Sequence, residues 1–403
     1  MDLTTHFIKE TANIKNFQEA FSIAKENSGK GNIWIIGGLV YRNIINGLYG
    51  KRGEEIYDFD FIVENPASFE EIKLPQDWKI VRTGLGEPRF ISGKKQIDLV
   101  ALDNSVNPPE VKNLSRMSPR EKMESYFRRV PLNIQALAYD VDNKRIIGDV
   151  GIQAIKDKRI QVNNIDECIS FCKRRKISIR EFINKKMNAS GFNAVFPIFV
   201  DKEKTETEKF YNTYSIEYTK ARGGNSFISD HLKKEFFKFM EKLPGKKVID
   251  LGSGPGRDAL LFRKEGLHPV CVDISIDMVK ICKENGLEAI RMDIEDLDFE
   301  NSSFDGVWAY TSLVHIPKKR IYNTLARIRE ILKPGGMFFV GMVGGDSEIQ
   351  YQSKDKPKIK RFFALYQDEE FEKILSEYFT VICSKIFSTP KGEKYLNYLC
   401  QKI

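Results

Sequence analysis

Two aspartates lie one residue apart in IYDFDFIVE, which runs from Ile56 to Glu64. On a β-strand alternate side chains share a face, so Asp58 and Asp60 point one way and the neighbouring aromatic residues point the other. A third aspartate, Asp98, follows 38 positions after Asp60 in the apolar stretch KQIDLVALD. Three carboxylates on adjacent strands suit two Mg²⁺ ions that clamp a nucleoside triphosphate and activate an attacking hydroxyl. The alternative is an edge strand with solvated aspartates.

A pair of glycines precedes these aspartates. Gly37 and Gly38 follow the apolar strand NIWII and open a helix. The free backbone N–H groups at a helix start bind phosphates. The combination of glycines, paired aspartates and Asp98 therefore favours metal-dependent nucleotide chemistry over a solvated edge strand.

A second glycine-rich turn lies in KKVIDLGSGPGRDALLFRKEG. Gly252, Gly254 and Gly256 follow a buried strand and precede a helix, so a ligand can approach the backbone closely. The next strand ends at Asp273, 17 positions after the last of these glycines, where a doubly wound sheet places an acceptor for ribose hydroxyls. A third unit ends at Asp293, which suits the exocyclic amine of adenine. A NAD-dependent dehydrogenase shares the glycine turn, but neither Asp293 nor the later KPGG turn fits its pattern.

His315 follows the fourth strand of this series, in FDGVWAYTSLVHIP. The chain has four histidines, and this one alone stands at an expected ligand-facing strand end. An imidazole there can act as a general base towards a bound substrate. The alternative is that His315 caps the helix that follows.

These residues need two sets of elements to position them. The sequence predicts an α/β fold class with three parts: an N-terminal α+β domain over residues 1–162, a basic helical linker over 163–205, and a Rossmann-like, doubly wound domain over 206–403. The length of 403 residues agrees with two or three domains.

The composition of the chain argues against a membrane protein, a secreted protein and a disulfide-rich protein. No apolar run is long enough to span a membrane, and the first residues lack a secretory pattern, so we expect a cytoplasmic protein without membrane association. The six cysteines show no disulfide framework and no paired metal ligands. The net charge of +8 and the basic run from Lys173 to Lys176 keep RNA as a candidate partner, with a solvated helix face as the alternative.

The second half resembles the class I S-adenosylmethionine-dependent methyltransferases that act on small molecules or cofactors. The resemblance implies that Asp250, with the three glycines of the turn, surrounds the methionine part of the cofactor. It also implies that Asp273 binds the ribose and that Asp293 with Ile294 binds the adenine. The stretch FYNTYSIEYTKAR resembles the tyrosine-rich opening helix of that branch, so Tyr214 and Tyr218 are expected either to close over the cofactor or to pack the helix.

The first half resembles the nucleotidyltransferase superfamily of DNA polymerase β, within it the head domain of CCA-adding enzymes and bacterial poly(A) polymerases. The resemblance rests on the glycine pair, the Asp-x-Asp pair and RRVPLNIQALAYDVDNKRIIGDVGIQAIKDKRIQ. It implies that Asp58 and Asp60 hold both Mg²⁺ ions, that Asp98 assists the attacking hydroxyl, and that Gly37 and Gly38 cradle the triphosphate. The sequence departs from that family at its Arg-Asp, Asn and Arg positions, which here are Val130-Pro131, Gln135 and Tyr41.

The combined prediction is a bifunctional enzyme. One half transfers a methyl group to a small-molecule or nucleotide-linked acceptor, and the other is a Mg²⁺-dependent nucleotidyltransferase. The alternative is a methyltransferase joined to a catalytically silent module that binds a nucleotide or RNA. The turn Tyr310-Thr311-Ser312-Leu313 differs from the Asn/Asp-Pro-Pro-aromatic turn of enzymes that methylate exocyclic amines of nucleic-acid bases. The sequence makes no prediction of oligomeric state.

Overall fold

The computed structural model describes residues 2–50, 56–83, 86–106, 114–199, 201–221, 230–353, 356–389 and 392–402. The chain forms two compact units, Met1–Phe171 with Phe182–Pro197 and Cys172–Glu181 with Ile198–Ile403. The interval expected to be a linker, 163–205, is shared between these units. The domain boundaries 1–162, 163–205 and 206–403 stay predictions.

The first unit is built on a seven-stranded mixed sheet in the order β3-β4-β5-β2-β1-β6-β7. Its strands are β1 (Ile33–Ile36), β2 (Asp58–Val63), β3 (Lys79–Arg82), β4 (Pro88–Ser92), β5 (Lys95–Ala101), β6 (Ala138–Asp140), β7 (Arg145–Ile147) and a separate parallel pair, β8 (Arg159–Gln161) and β9 (Asn193–Val195). Its helices are α1 (Leu3–Ala12), α2 (Phe17–Glu26), α3 (Gly37–Tyr49), α4 (Leu102–Ser105), α5 (Pro119–Arg129) and α6 (Asp149–Lys156). Two further helices, α7 (Ile165–Arg175) and α8 (Ile179–Ser190), each contain a boundary between the two units.

The register of this sheet brings the three aspartates together. Asp60 lies opposite Ile36 of antiparallel β1 on one side and opposite Asp98 of parallel β5 on the other. Phe59 and Phe61 point to the opposite face and are fully buried. The alternation expected from IYDFDFIVE is therefore confirmed, and adjacent strands place Asp98 beside Asp60.

The second unit is built on a seven-stranded sheet in the order β12-β11-β10-β13-β14-β18-β17. Its strands are β10 (Lys247–Leu251), β11 (His268–Asp273), β12 (Glu288–Arg291), β13 (Phe304–Tyr310), β14 (Leu332–Val343), β17 (Thr380–Ser388) and β18 (Lys394–Gln401), with a separate hairpin of β15 (Glu348–Ser353) and β16 (Lys356–Ala364). Its helices are α9 (Lys202–Thr213), α10 (Ser215–Ala221), α11 (Asp230–Glu241), α12 (Arg257–Lys264), α13 (Ile276–Glu284), α14 (Ile321–Ile331) and α15 (Asp368–Ser376).

Strands β10 to β14 run parallel, and only β18 and β17 are antiparallel to their neighbours. The carboxyl ends of the five parallel strands therefore meet at one edge, with the order reversing between β10 and β13. This confirms the Rossmann-like fold expected for the C-terminal part. One detail differs: β12 ends at Arg291, and Asp293 instead caps a short 3-10 turn over residues 294–296. Within the described ranges, no helix is both long and apolar enough to cross a membrane.

Candidate functional site

The three aspartates of the first unit form one cluster. Carboxylate oxygens of Asp58, Asp60 and Asp98 all lie within 4.8 Å of one another. Arg89 Nε and Nη2 each donate to one oxygen of Asp98 at 2.6 Å, and Gln96 Nε2 donates to Asp58 at 2.9 Å. The cluster thus has the oxygen donors of a divalent-cation site, although Arg89 already balances one of its three charges.

The charge of the cluster is poorly compensated at Asp60. Burial, with repulsion from Asp58 and Asp98, raises the pKa of Asp60 to about 7, although Arg89 and Arg42 oppose the shift. Burial and the Asp98 carboxylate also raise the pKa of Asp58. A divalent cation would stabilise the ionised forms, because an opposite charge at this distance favours ionisation.

The glycine pair lies directly against this cluster. Gly37 has a left-handed φ of +72°, and a Cβ there would lie 2.2 Å from Asp60 Oδ2. A side chain at this position would therefore displace the carboxylate. The guanidinium of Arg42 lies beside Gly38: a Cβ on Gly38 would be 2.9 Å from Arg42 Nη2. Tyr41 accepts a hydrogen bond from Lys186 Nζ at 2.7 Å. Two cations that the motif alone did not predict, Arg42 and Lys186, thus accompany the turn.

In the second unit, a cleft of about 750 Å³ opens at the carboxyl edge of the parallel strands. Six of the residues expected to bind a cofactor or act as a base line it: Gly252, Gly254, Asp273, Asp293, Ile294 and His315. Tyr218, which the tyrosine-rich stretch led us to expect over the cofactor or in helix packing, also lines the cleft. The sequence assigned no binding role to the other lining residues: Lys204, Thr207, Tyr211, Ile274, Glu295, Tyr310, Thr311, Ser312 and Ile316.

The glycine turn after β10 forms the floor of this cleft. Gly252 has a left-handed φ of +67°, and a Cβ there would lie 2.4 Å from Ser312 Cβ. Only glycine fits this close approach. The amide of Gly254 donates to Asp273 Oδ2 at 2.9 Å, which fixes the turn to the end of β11.

Asp273 is 7% exposed and accepts a second hydrogen bond from the amide of Ser275, at 2.8 Å to Oδ1. Burial raises the pKa of Asp273 to about 6, against the lowering effect of these backbone N–H donors. Each carboxylate oxygen keeps a further lone pair, so the ionised group can accept two more hydrogen bonds from a ligand.

Asp293 belongs to a network of charged side chains. Lys204 Nζ lies 2.5 Å from Asp293 and 2.6 Å from Glu295, while Arg320 lies 2.6 Å from Glu295 and 2.5 Å from Asp201. The Oδ1 atom of Asp293 also accepts from the amide of Glu295 at 2.9 Å. The network ties the start of α9 to the turn after β12, and an adenine amine would share Asp293 with Lys204.

His315 is half-buried and makes two hydrogen bonds that fix its tautomer. Its Nδ1 lies 2.6 Å from the carbonyl oxygen of Phe362, and its Nε2 lies 2.9 Å from the hydroxyl of Tyr211. Because a carbonyl oxygen only accepts, Nδ1 carries the proton and Nε2 accepts from Tyr211. Burial lowers the pKa of His315 to about 4, with a further lowering by Arg361. His315 is therefore neutral at pH 7 and has a lone pair on Nε2.

Several expected residues lie elsewhere. Asp250 lines a smaller adjoining pocket of about 460 Å³ that also contacts Gly252 and Gly254. Gly256 caps α12, where a Cβ would lie 2.5 Å from Leu287. Tyr214 packs on Phe210, with ring centroids 5.1 Å apart, and is not among the lining residues of the cleft. Tyr211, one helical turn before Tyr214, lines the cleft where Tyr214 was expected.

Two further features of the sequence are the basic run and a pair of cysteines. Lys173 to Lys176 are exposed, and Lys173 Nζ lies 3.6 Å from the ring centroid of Tyr322. The side chains of Cys168 and Cys172 are buried. The exposed basic run leaves RNA as a predicted partner, with a solvated helix face as the alternative.

Residues 248–336 match the family model described as a methyltransferase domain. The C-terminal part contains a class I S-adenosylmethionine-dependent methyltransferase domain. An uncharacterized protein of Methanocaldococcus jannaschii is 29% identical over 163 residues, which cover 40% of this chain and 73% of that protein. Phosphoethanolamine N-methyltransferase 1 of Arabidopsis thaliana is 28% identical over 128 residues, which cover 29% of this chain and 26% of that protein. This alignment spans about a quarter of the length of the plant enzyme.

One solved structure similar to the methyltransferase domain is that of the Burkholderia thailandensis 1,6-didemethyltoxoflavin-N1-methyltransferase. It is 20% identical, has a TM-score of 0.42, and covers 51% of this chain and 92% of that chain.

The residues of the methyltransferase domain fit S-adenosylmethionine on chemical grounds. Within the glycine turn, a Cβ on Gly254 would meet only Tyr218, at 4.0 Å, so the turn is open to a ligand there, and Asp273 has acceptor capacity for hydroxyl groups. The buried hydroxyl of Ser312 lines the same cleft and has no hydrogen-bond partner among the described residues. A polar ligand would satisfy this group.

Proposed function

We propose that the C-terminal unit transfers a methyl group from S-adenosylmethionine to a small-molecule or nucleotide-linked acceptor. The observation that carries the proposal is that the glycine turn, Asp273 and a neutral His315 line one cleft. Binding groups and a candidate base therefore face the same cleft, as methyl transfer requires, because positioning supplies much of the rate.

In this proposal each residue of the cleft has a distinct role. When bound, S-adenosylmethionine supplies an electrophilic methyl group. Asp273 accepts hydrogen bonds from ribose hydroxyls, and Gly252 and Gly254 allow the close approach of the methionine part. His315 and Tyr211 together take the proton that an acceptor hydroxyl or amine loses, with Nε2 of His315 as its final position.

Isothermal titration with S-adenosylhomocysteine tests the cofactor part of the proposal, since the product analogue needs no acceptor. We expect saturable binding that Gly252→Ala weakens. Labelled S-adenosylmethionine, incubated with a small-molecule extract and separately with an RNA pool, tests the acceptor class. We expect label to be transferred to small molecules. If His315→Gln lowers this transfer and the exposed control His268→Gln does not, the assignment of His315 as the base is supported. Preferential labelling of RNA would contradict the small-molecule class.

A second function is favoured by one observation in the first unit. We propose that Asp58, Asp60 and Asp98 bind a divalent cation, because their oxygens lie within 4.8 Å of one another and the pKa of Asp60 is raised to about 7. When bound, Mg²⁺ would neutralise triphosphate charge and favour ionisation of an attacking hydroxyl. Gly37, Gly38 and Arg42 would then contact the phosphates.

Release of pyrophosphate from a nucleoside triphosphate in the presence of Mg²⁺ tests this second function. Asp60→Asn should abolish release, whereas the exposed Asp157→Asn on the same unit should not change it. Nucleotide binding without any turnover would refute nucleotidyl transfer and leave the binding-module alternative. Failure of this activity would not affect the methyltransferase proposal, because the two assays use different substrates and different residues.

A further inference from the structure

Arg361 lies on β16, next to the candidate base of the methyltransferase domain. Its neighbour Phe362 contacts the cleft through both backbone groups: the carbonyl accepts from His315 Nδ1 at 2.6 Å, and the amide donates to Thr207 Oγ1 at 3.2 Å. The β15–β16 hairpin thus holds one end of the imidazole and is tied to α9. No sequence motif for the cofactor includes this hairpin.

The guanidinium of Arg361 is surrounded by aromatic rings instead of carboxylates. Its central carbon lies 4.3 Å from the ring centroid of Phe210, 5.2 Å from Phe363, 5.5 Å from Tyr351 and 5.8 Å from Tyr211. Within the described ranges it forms no ion pair, and its buried Nε has no hydrogen-bond partner. Aromatic faces attract a cation, but this attraction offsets only part of the cost of burying a charge.

Among the described residues the side chain of Arg361 makes one hydrogen bond, and this bond begins a chain of hydrogen bonds. Nη1 lies 3.3 Å from the hydroxyl oxygen of Tyr211. A guanidinium only donates, so the Tyr211 oxygen accepts from Arg361 and its own O–H is left to donate to His315 Nε2. The Nδ1–H of His315 then donates to Phe362. Every donor in this chain has one acceptor, and the order starts at Arg361.

We propose that Arg361 is a positioning residue for methyl transfer: its hydrogen bond orients the Tyr211 hydroxyl to donate to the lone pair on Nε2 of His315. This inference rests on the proposed methyl transfer. The acceptor proton passes to the Tyr211 oxygen as the Tyr211 proton passes to Nε2, so one proton leaves the acceptor and one is gained by His315. Arg361 stabilises the negative charge that builds on the Tyr211 oxygen during this exchange.

The proposal can be tested without a methyl acceptor by recording the ¹⁵N NMR signals of the His315 ring. Four proteins are compared: wild type, Arg361→Met, Arg361→Lys and the control Lys360→Met. Wild type should show one neutral tautomer, protonated at Nδ1. Arg361→Met should leave the proton on Nδ1, which the Phe362 carbonyl holds, but should shift the Nε2 signal towards that of an imidazole nitrogen without a hydrogen bond, because Tyr211 is no longer oriented to donate. It should also raise the pKa of His315, because a neighbouring positive charge is removed. Arg361→Lys should restore the wild-type signals in part. Lys360 is exposed on the same strand, so its variant should match wild type.

Binding of S-adenosylhomocysteine to each variant separates this inference from the proposed function and checks folding. Arg361 does not line the cofactor cleft, so all four proteins should bind with Kd values within about twofold of one another. Unchanged His315 signals in Arg361→Met, with binding retained, would overturn the positioning role and leave Arg361 as a packing residue. Absence of binding in wild type would refute the proposed function instead.

Discussion

In the proposed cofactor site, we expect Asp273 to make the affinity for S-adenosylhomocysteine depend on pH. Burial raises its pKa from 3.8 to about 6, which corresponds to about 3 kcal/mol against the ionised carboxylate. Ribose hydroxyls donate to the ionised form, so the binding-competent state is populated above pH 6 and lost below it. At pH 5 about one tenth of the free protein keeps Asp273 ionised, so we expect about tenfold weaker binding than at pH 7.

Calorimetric titrations of S-adenosylhomocysteine from pH 5 to pH 8 measure this effect. Asp273→Asn should weaken binding at pH 7.5 by about 10- to 100-fold, because hydrogen bonds to a charged group contribute about 1.5–3 kcal/mol each. It should also remove the pH dependence between pH 5 and pH 7. Asp277→Asn is the matched control, since Asp277 is the next acidic residue, pairs with Lys280 and does not line the cleft. Affinity that stays constant from pH 5 to pH 8 in wild type would refute the assignment of Asp273.

Three further predictions concern other parts of the chain. Gly252→Ala should lower both thermal stability and affinity for S-adenosylhomocysteine, because its Cβ would lie 2.4 Å from Ser312 Cβ; calorimetry measures both. In EDTA at pH 8, Asp60→Asn should be more stable than wild type by about 2–4 kcal/mol, since the raised pKa of about 7 disfavours the charged form there. The difference should vanish near pH 4, and Mg²⁺ should raise the melting temperature of wild type alone. Ser178→Ala should cost about 1–3 kcal/mol in denaturant unfolding, since its hydroxyl donates to buried Glu330 at 2.6 Å.

The sequence predicted the parts of the sites that follow from one strand and its adjoining turn. Gly252 and Asp273 stand at strand ends, and parallel strands bring their carboxyl ends to a common edge whatever the intervening loops contain. The period of a β-strand likewise predicted that Asp58 and Asp60 share a face. These predictions needed only local periodicity and a sheet type.

The partners of His315 could not be predicted in the same way. Arg361 lies 150 positions from Tyr211, on a hairpin whose own pattern shows only a basic, aromatic strand. A contact over that separation depends on how the hairpin folds back, which short-range spacing does not encode. Tyr211 did have a signal, because Tyr211, Tyr214 and Tyr218 follow the i, i+3, i+7 spacing of one helix face.

Residues 172–181 belong to the second unit and residues 182–197 to the first, which limits where the chain can be cut into separate domains. A chain that ends at residue 171 lacks β9, the parallel partner of β8 in the first unit. A chain that starts at residue 198 lacks Ser178, whose amide and hydroxyl both bond to Glu330 in the second unit. The two units are therefore interleaved along the sequence and are not modules that a single cut separates. Exchanging either unit for a homologue would require three junctions, after residues 171, 181 and 197.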